Sequence, residues 1–395
     1  WYDRKTKKMR YCVADDEYGF SPRSISGDTV GDELKNAGFP SKVYALALKD
    51  RAAIALGGHR ADLSFWVDPK GDWATSSFYS KDLSVPIWLK AVNTGLQKTR
   101  GRDITWKAAN FTRTAIEGST ASLLMPFGAE ITTDAALATV NGAKLGMGPA
   151  TDLLALSYST HDLLGHKTGP NSQEMEEITV AEDKALARLL NGVKKAVPGG
   201  LKNVVFVLTA DHGVGPSPDY LKEVRISTGR LVPTAMVKEA NLRLNAKFGT
   251  PKGAEAWVVA EDSLNFYLDS DAITAKNVDR NQVELELKKY FLTLEGVAKV
   301  FTRTEYEQNR LPPGEYERQI KKTYFPERSG DVVIIQKPFW IDSQVVATHM
   351  TGYSYDRNAP LLISGPSIEA GVYATPADIV DLAPTLSFMT GTVAP

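Results

Sequence analysis

The chain carries an unbroken apolar run, Val204-Val205-Phe206-Val207-Leu208, that ends in Thr209-Ala210-Asp211-His212-Gly213. A run apolar at successive positions predicts a strand covered on both faces, the setting of a sheet packed between helices. In such sheets ligands bind at the carboxyl ends of the strands. Here that end delivers a carboxylate and an imidazole side by side. A second pair stands upstream, Asp162 and His166 in Asp162-Leu163-Leu164-Gly165-His166. The whole sequence has five histidines, and a third of them, His349, lies far downstream in Ala347-Thr348-His349-Met350. Asp and neutral His are ordinary oxygen and nitrogen ligands of zinc, so two Asp/His pairs and one distant His could hold two metals.

The rest of the chain keeps the rhythm this placement needs. Short apolar runs at 43–48, 152–157, 204–208 and 361–364 predict strands, most followed within a few residues by Gly, Asp, His or Pro. Between them, 172–197 carries Met175, Ile178, Leu186, Leu189 and Val193 at helical spacing, can be capped by Asn171 or Ser172, and ends at Pro198-Gly199-Gly200. Weaker helix candidates cover 131–145 and 377–389, with Pro126-Phe127-Gly128 read as a break before the first. Alternating strands and helices predict an α/β fold with a mostly parallel sheet covered by helices on both faces. Asp162 and Asp211 each follow a predicted strand, which places both pairs on one edge of the sheet. Residues 55–115 depart from the rhythm and read as a small excursion. Residues 214–340 mix helix candidates (234–247, 282–294) with strand-like 256–259 and 332–335, and read as an inserted smaller α+β region. The expected organisation is a core of 1–213 and 341–395 with an insertion of 214–340 beside the site.

Composition narrows the function classes. The 395 residues are 43% hydrophobic and 24% charged with a formal net charge of -1, which gives no sign of nucleic-acid or membrane affinity. No apolar run approaches bilayer length. Cys12 is the only cysteine, so no internal disulfide can form. The chain opens at Trp1 rather than Met and has no basic-apolar leader, and both ends are expected to be cuts in a longer protein.

Two divalent metals about 4 Å apart suit in-line displacement at phosphorus, each neutralising one apical oxygen. Two zinc ions less the charges of Asp162 and Asp211 leave a double positive charge, the complement of a phosphate dianion. Each signal has a plainer reading as well. Asp-His-Gly after a strand is often a turn, Asp162 and His166 could be a hydrogen-bonded pair in a Gly-containing loop, and a lone His349 is usually satisfied or exposed. Their convergence favours metal. His59 and His161 are left as structural or as supports behind the ligands, His161 because neighbouring side chains on an extended segment point opposite ways. Lys49 and Arg51 flank Asp50 at the end of the 43–48 run. They are either a solvated charged turn or, lying at i and i+2 on one extended face, a point charge and a fork for a phosphoryl oxygen.

The stretch Ser-Thr-His-Asp-Leu-Leu-Gly-His-Lys-Thr-Gly-Pro-Asn-Ser-Gln-Glu at 159–174 resembles a metal-binding segment of the alkaline phosphatase superfamily. It is most similar to bacterial alkaline phosphatases of the PafA type, which use a threonine nucleophile. Trp1-Tyr2-Asp3, Ser21-Pro22-Arg23, Leu48-Lys49-Asp50-Arg51, Thr209-Ala210-Asp211-His212-Gly213 and Tyr353-Ser354-Tyr355-Asp356 agree, in order along the chain. The resemblance implies that Asp162, His166 and His349 hold one zinc and that Asp211 and His212 hold the other. It implies that Lys49 and Arg51 contact phosphate, a mark of preference for monoesters, and that the protein is periplasmic or secreted. The further Asp ligand and the nucleophilic Thr of the family are expected upstream of Trp1, with the first strand of the sheet. Met350 departs from relatives that place Gly after the histidine, which is expected to alter the local backbone.

The expected function is therefore that of a zinc-dependent phosphomonoesterase with two zinc ions per chain, acting on small-molecule phosphate monoesters through a phosphothreonine. No nucleic acid or membrane is expected as partner, and the chain is expected to be a monomer. The alternatives are a phosphodiesterase or nucleotide pyrophosphatase on the same scaffold, and a non-catalytic zinc-stabilised domain. A sulfatase would need Cys-x-Pro-x-Arg, and Cys12 is followed by Val13-Ala14-Asp15.

Overall fold

In the computed structural model, residues 1–254 and 256–393 are described; Glu255, and Ala394 and Pro395 at the end of the expected core, lie outside the described residues. The chain forms two compact units. The larger comprises 12–168, 172–211 and 359–395, and the smaller comprises 1–11, 169–171 and 212–358.

The larger unit is built on a four-stranded sheet. Its strands are β1 (Val43–Ala47), β2 (Leu63–Val67), β3 (Trp73–Ala74) and β4 (Leu153–Ser157), in the order β4-β1-β2-β3. β4, β1 and β2 run parallel, and β3 is an antiparallel edge. Alternation along the strands gives each face its own core. Leu46, Leu48 and Phe65 bury against Ile131, Ala135 and Leu189, while Ala47 and Trp66 bury against Ala53 and Ile54. Helices thus cover both faces: α1 (Asp50–Gly57) on one, α2 (Pro126–Gly142) and α4 (Gln173–Ala196) on the other. Between β4 and α4 lies α3 (Thr160–Thr168). The strand β5 (Phe206–Thr209) pairs antiparallel with Leu361–Ser364.

Local chemistry explains most boundaries. The Ser172 hydroxyl accepts the Met175 N–H at the start of α4, acidic Glu174 and Glu176 occupy its first turn, and Lys194 and Lys195 its last, each sign matched to the helix dipole. Pro126 does not break the pattern: it opens α2, where a proline's missing N–H costs nothing.

The smaller unit holds an antiparallel sheet of β6 (Val258–Asp262), β7 (Asn265–Leu268), β8 (Val297–Thr302) and β9 (Val332–Gln336), in the order β6-β7-β9-β8. Helices α5 (Pro233–Phe248) and α6 (Arg280–Phe291) contribute Met236, Leu244, Leu287 and Phe291 to a core shared with Trp257, Phe266 and Ile334. This is an α+β unit, and the helix-covered parallel sheet of the other unit is the expected α/β core.

The division departs from the sequence expectation at 169–171 and 212–213, which lie in the smaller unit, and at three longer stretches. Residues 1–11 belong to the smaller unit, where Tyr2 packs on Tyr267 with ring centroids 5.7 Å apart and the Arg4 guanidinium reaches Asp331 at 3.2 Å. Residues 341–358 belong there too, tied by the Phe339 N–H donated to the Tyr355 hydroxyl and by the Tyr353 hydroxyl donated to the Gln336 carbonyl. The stretch 55–115 is not an excursion, because it contains β2, an inner strand of the main sheet. Among the described residues no helix is long and apolar enough to cross a membrane.

Candidate metal and phosphate site

In the larger unit the site begins with strand register. β1 and β4 run parallel with Ala47 opposite Ser157, so both strands deliver their following residues to the same sheet edge. Two residues past Ala47 comes Lys49, and the first turn of α3, just past Ser157, presents Asp162. Their side chains form an ion pair, with the Lys49 ammonium on Oδ2. The other oxygen of Asp162, Oδ1, lies 3.2 Å from Nε2 of His166, one helical turn further on. Asp162 and His166 are therefore presented by a helix at i and i+4, which puts them on one face, and not by a loop. Leu164, fully buried between them, pins that helix into a cluster with Met125, Met175 and Ile178. Gly128 of α2 lets α3 approach: a Cβ there would stand 2.3 Å from the Thr160 Oγ1.

Two expectations about this unit are corrected. Lys49 is extended (φ -100°, ψ 133°), but α1 begins at Asp50, so Arg51 is already helical and exposed. The extended-face argument that aligned Lys49 with Arg51 fails, and the structure brings only Lys49 onto Asp162. His161 is helical as well. It is turned to α4, with Nδ1 3.0 Å from Glu182 Oε2, and that hydrogen bond raises its pKa. Asp211 follows β5 in an exposed position. Just before it, the Thr209 Oγ1 is buried without a hydrogen-bond partner.

A second group in this unit, Asp28, Asp32 and His59, places one ligand atom from each within 4.8 Å of the others. Its buried carboxylate is already engaged. Asp32 accepts the Thr29 N–H and hydroxyl on Oδ2 and the Arg60 N–H on Oδ1, closing the capping box of the short helix Val30–Asn36. This group reads as structural.

In the smaller unit His212 and His349 lie face to face, with ring centroids 3.4 Å apart and planes inclined by 15°. The His212 Nδ1–H donates to the Gly213 carbonyl at 2.9 Å, which puts the imidazole lone pair on Nε2. Met350 adopts φ 96°, in the region that favours glycine. Behind the two rings stands Asp356, a residue the sequence reading quoted without a role. It is buried, and desolvation raises its carboxyl pKa while bonds from Thr351 work against that rise. The available signal was a lone carboxylate closing an aromatic segment, Tyr353-Ser354-Tyr355-Asp356.

Each unit offers donors of the kind a metal ion takes: in the larger one a carboxylate set against an imidazole, Asp162 and His166, and in the smaller one an imidazole, His212, fixed in the tautomer a ligand needs.

The sequence profile of the type I phosphodiesterase / nucleotide pyrophosphatase family matches residues 1–345. The chain belongs to this family. Among its relatives, alkaline phosphatase PafA of Elizabethkingia meningoseptica is 31% identical over 98% of this chain and 78% of the relative. Alkaline phosphatase PhoV of Synechococcus elongatus is 29% identical over 98% of this chain and 76% of the relative. The crystal structure of wild-type PafA matches the fold with a TM-score of 0.89 and 28% identity, covering 100% of this chain and 82% of that one. The family lies in the alkaline phosphatase superfamily of metal-dependent phosphoester hydrolases, and the α/β architecture expected from the sequence is the one observed.

Proposed function

We propose that the chain is a zinc-dependent alkaline phosphatase that hydrolyses small-molecule phosphate monoesters through a phosphothreonine, working as a monomer in the periplasm or outside the cell. Asp162, His166 and His349 would hold one zinc, and Asp211 and His212 the other. Bound zinc would supply positive charge for the phosphoryl oxygens and acidify water enough for it to ionise near neutral pH. The nucleophilic threonine is proposed to lie before Trp1, as the resemblance implies.

The observation that carries the monoester reading is the position of Lys49. Its ammonium rests on a ligand carboxylate at the carboxyl end of the parallel strands. A monoester dianion carries one more negative charge than a diester. A cation that can move from Asp162 to a phosphoryl oxygen as the carboxylate takes up metal therefore favours the monoester. Arg51, exposed on the first turn of α1, offers a fork to the same anion.

The test uses the full natural chain loaded with zinc, with turnover of phenyl phosphate and of a bis-aryl phosphate diester measured before and after chelation. The expected result is faster monoester hydrolysis, with both activities lost on zinc removal and restored on its return. Faster diester hydrolysis would favour the second reading, a phosphodiesterase, which the description of the matched family supports. Zinc bound tightly without any turnover would leave a zinc-stabilised, non-catalytic protein.

A further inference from the structure

Both histidine-bearing loops of the smaller unit are held by one residue that the metal reading does not use, the first by its backbone carbonyl and the second by its carboxylate. Asp356 is the third residue of α9 (Ser354–Arg357), and α7 (Arg303–Glu307) and α8 (Glu315–Thr323) precede it in the same unit. It is only 4% exposed. Its backbone carbonyl accepts the Gly213 N–H at 2.7 Å, directly after His212. Its Oδ2 accepts the Thr351 N–H at 2.9 Å and the Thr351 hydroxyl at 2.7 Å, two residues after His349. Gly213 sits hard on this turn, since a Cβ would meet the Tyr355 carbonyl oxygen at 2.3 Å. One short turn therefore anchors the segment after His212 and the segment after His349, and the two rings meet in parallel between those anchors.

The remaining oxygen of Asp356 sharpens the point. Oδ1 is buried and makes no hydrogen bond of full geometry, although the Gly215 N–H lies close enough to the carboxylate to favour its charged form, and the carboxylate lies near enough to His349 for the two to interact electrostatically. A buried acceptor left without a full hydrogen bond costs up to about 1–3 kcal/mol. If tying Thr351 were its whole task, an asparagine would serve, because its amide oxygen accepts the same two bonds. A carboxylate beside a metal-ligating histidine has a further use, since such partners fix ring orientation and raise ligand basicity.

We propose that Asp356 is a positioning residue for the stacked histidines: its carboxylate sets the pose of His349, directly and through Thr351, against a His212 whose following residue is tied to the same turn by the Asp356 backbone carbonyl. The metal purpose of that pose rests on the reading given under Proposed function. The pose itself does not.

The two can be separated in the full chain by two measurements. In the zinc-free protein, stacked imidazoles shield each other, so the ring C–H proton signals of His212 and His349 should lie upfield of those of His59 and His161. In Asp356→Ala this shielding is expected to vanish, and in Asp356→Asn to shrink although the Thr351 bonds survive. Zinc affinity, read by competition with a chromophoric chelator, is expected to fall about 10- to 100-fold in Asp356→Ala and by a smaller factor in Asp356→Asn. Thr351→Val, which keeps the carboxylate and the N–H donor, should lose less than either. If Asp356→Ala does not fold, Asp356→Asn and Thr351→Val carry the test. Native-like ring shifts and native zinc affinity in Asp356→Asn would overturn the proposal. A native chain that binds no zinc, with ring shifts that still collapse in Asp356→Asn, would sink the metal reading and leave the positioning role standing.

Discussion

Asp162 divides its two oxygens between Lys49, on Oδ2, and His166, whose Nε2 is 3.2 Å from Oδ1. On the proposed function the lysine is both a competitor for the carboxylate and a cation for phosphate, and the two roles give opposite signs on substitution. In Lys49→Ala the carboxylate loses its ammonium, so zinc is expected to bind at least as tightly as in the native chain. Phosphate loses a charge-assisted contact of about 1.5–3 kcal/mol. The inhibition constant for inorganic phosphate should therefore rise about 10- to 100-fold. Zinc titration and product-inhibition kinetics on the same sample check both. A phosphate inhibition constant equal to the native one would remove Lys49 from the site. The sequence revealed the Asp162/His166 spacing but not its setting. Gly165 at the middle suggested a loop, yet Leu164 beside it is fully buried and holds the turn helical. For Arg51 the misreading ran the other way. Nothing in Lys49-Asp50-Arg51 announces that the strand has already given way to a helix whose N-cap, Lys49, makes no side-chain capping bond.

At the scale of elements, α3 carries two of the proposed ligands, and its seat depends on α2. A Cβ on Gly128 would fall 2.3 Å from the Thr160 Oγ1 and 2.6 Å from the Leu123 carbonyl oxygen. Thr160 is fully buried, so neither neighbour can swing into solvent. Gly128→Ala is expected to push α3 outward at a cost of about 1–3 kcal/mol, the usual range for overpacking. Because Asp162 is the second residue after Thr160, activity should fall more than stability does. Chemical denaturation alongside kcat/KM measures the two, and a variant with native activity would show that the approach of these helices does not set the ligand geometry. Element legibility followed apolar patterning more than burial. β4 and α4 were readable because an apolar run or a stripe marked them. β2 was passed over because Leu63-Ser64-Phe65-Trp66-Val67 alternates like a half-exposed strand, whereas Ser64 is in fact fully buried. The segments 1–11 and 341–358 were assigned by chain order to the core, and their allegiance to the smaller unit lies in contacts such as Tyr2 with Tyr267 that no local pattern encodes.

Across the whole molecule, among the described residues, several acids are held away from water without a cation to pair with. Burial raises the pKa of Glu261, Asp342, Asp356 and most of all Glu284, which is fully buried in α6 and pushed from 4.5 up to about 7. Its Oε2 accepts the Thr304 N–H of α7 at 3.0 Å, while Oε1 has no hydrogen-bond partner. A group that holds its proton more tightly folded than unfolded adds stability while both states are protonated, here below about 4.5. That contribution drains away as pH climbs through about 7, where the folded chain must ionise a carboxyl that burial disfavours. A gap of this width is worth roughly 3 kcal/mol between the two limits. Glu284→Gln keeps an acceptor for the Thr304 N–H and has nothing to titrate. Thermal melts of the native chain and the variant from acid to alkaline pH should therefore diverge, the variant gaining on the native chain as pH rises and exceeding it on the alkaline side. Parallel curves across that range would mean that Glu284 titrates normally. In that case the acid-side stability would have to come from other groups, His161 among them, whose bond to Glu182 raises its pKa and acts in the same direction.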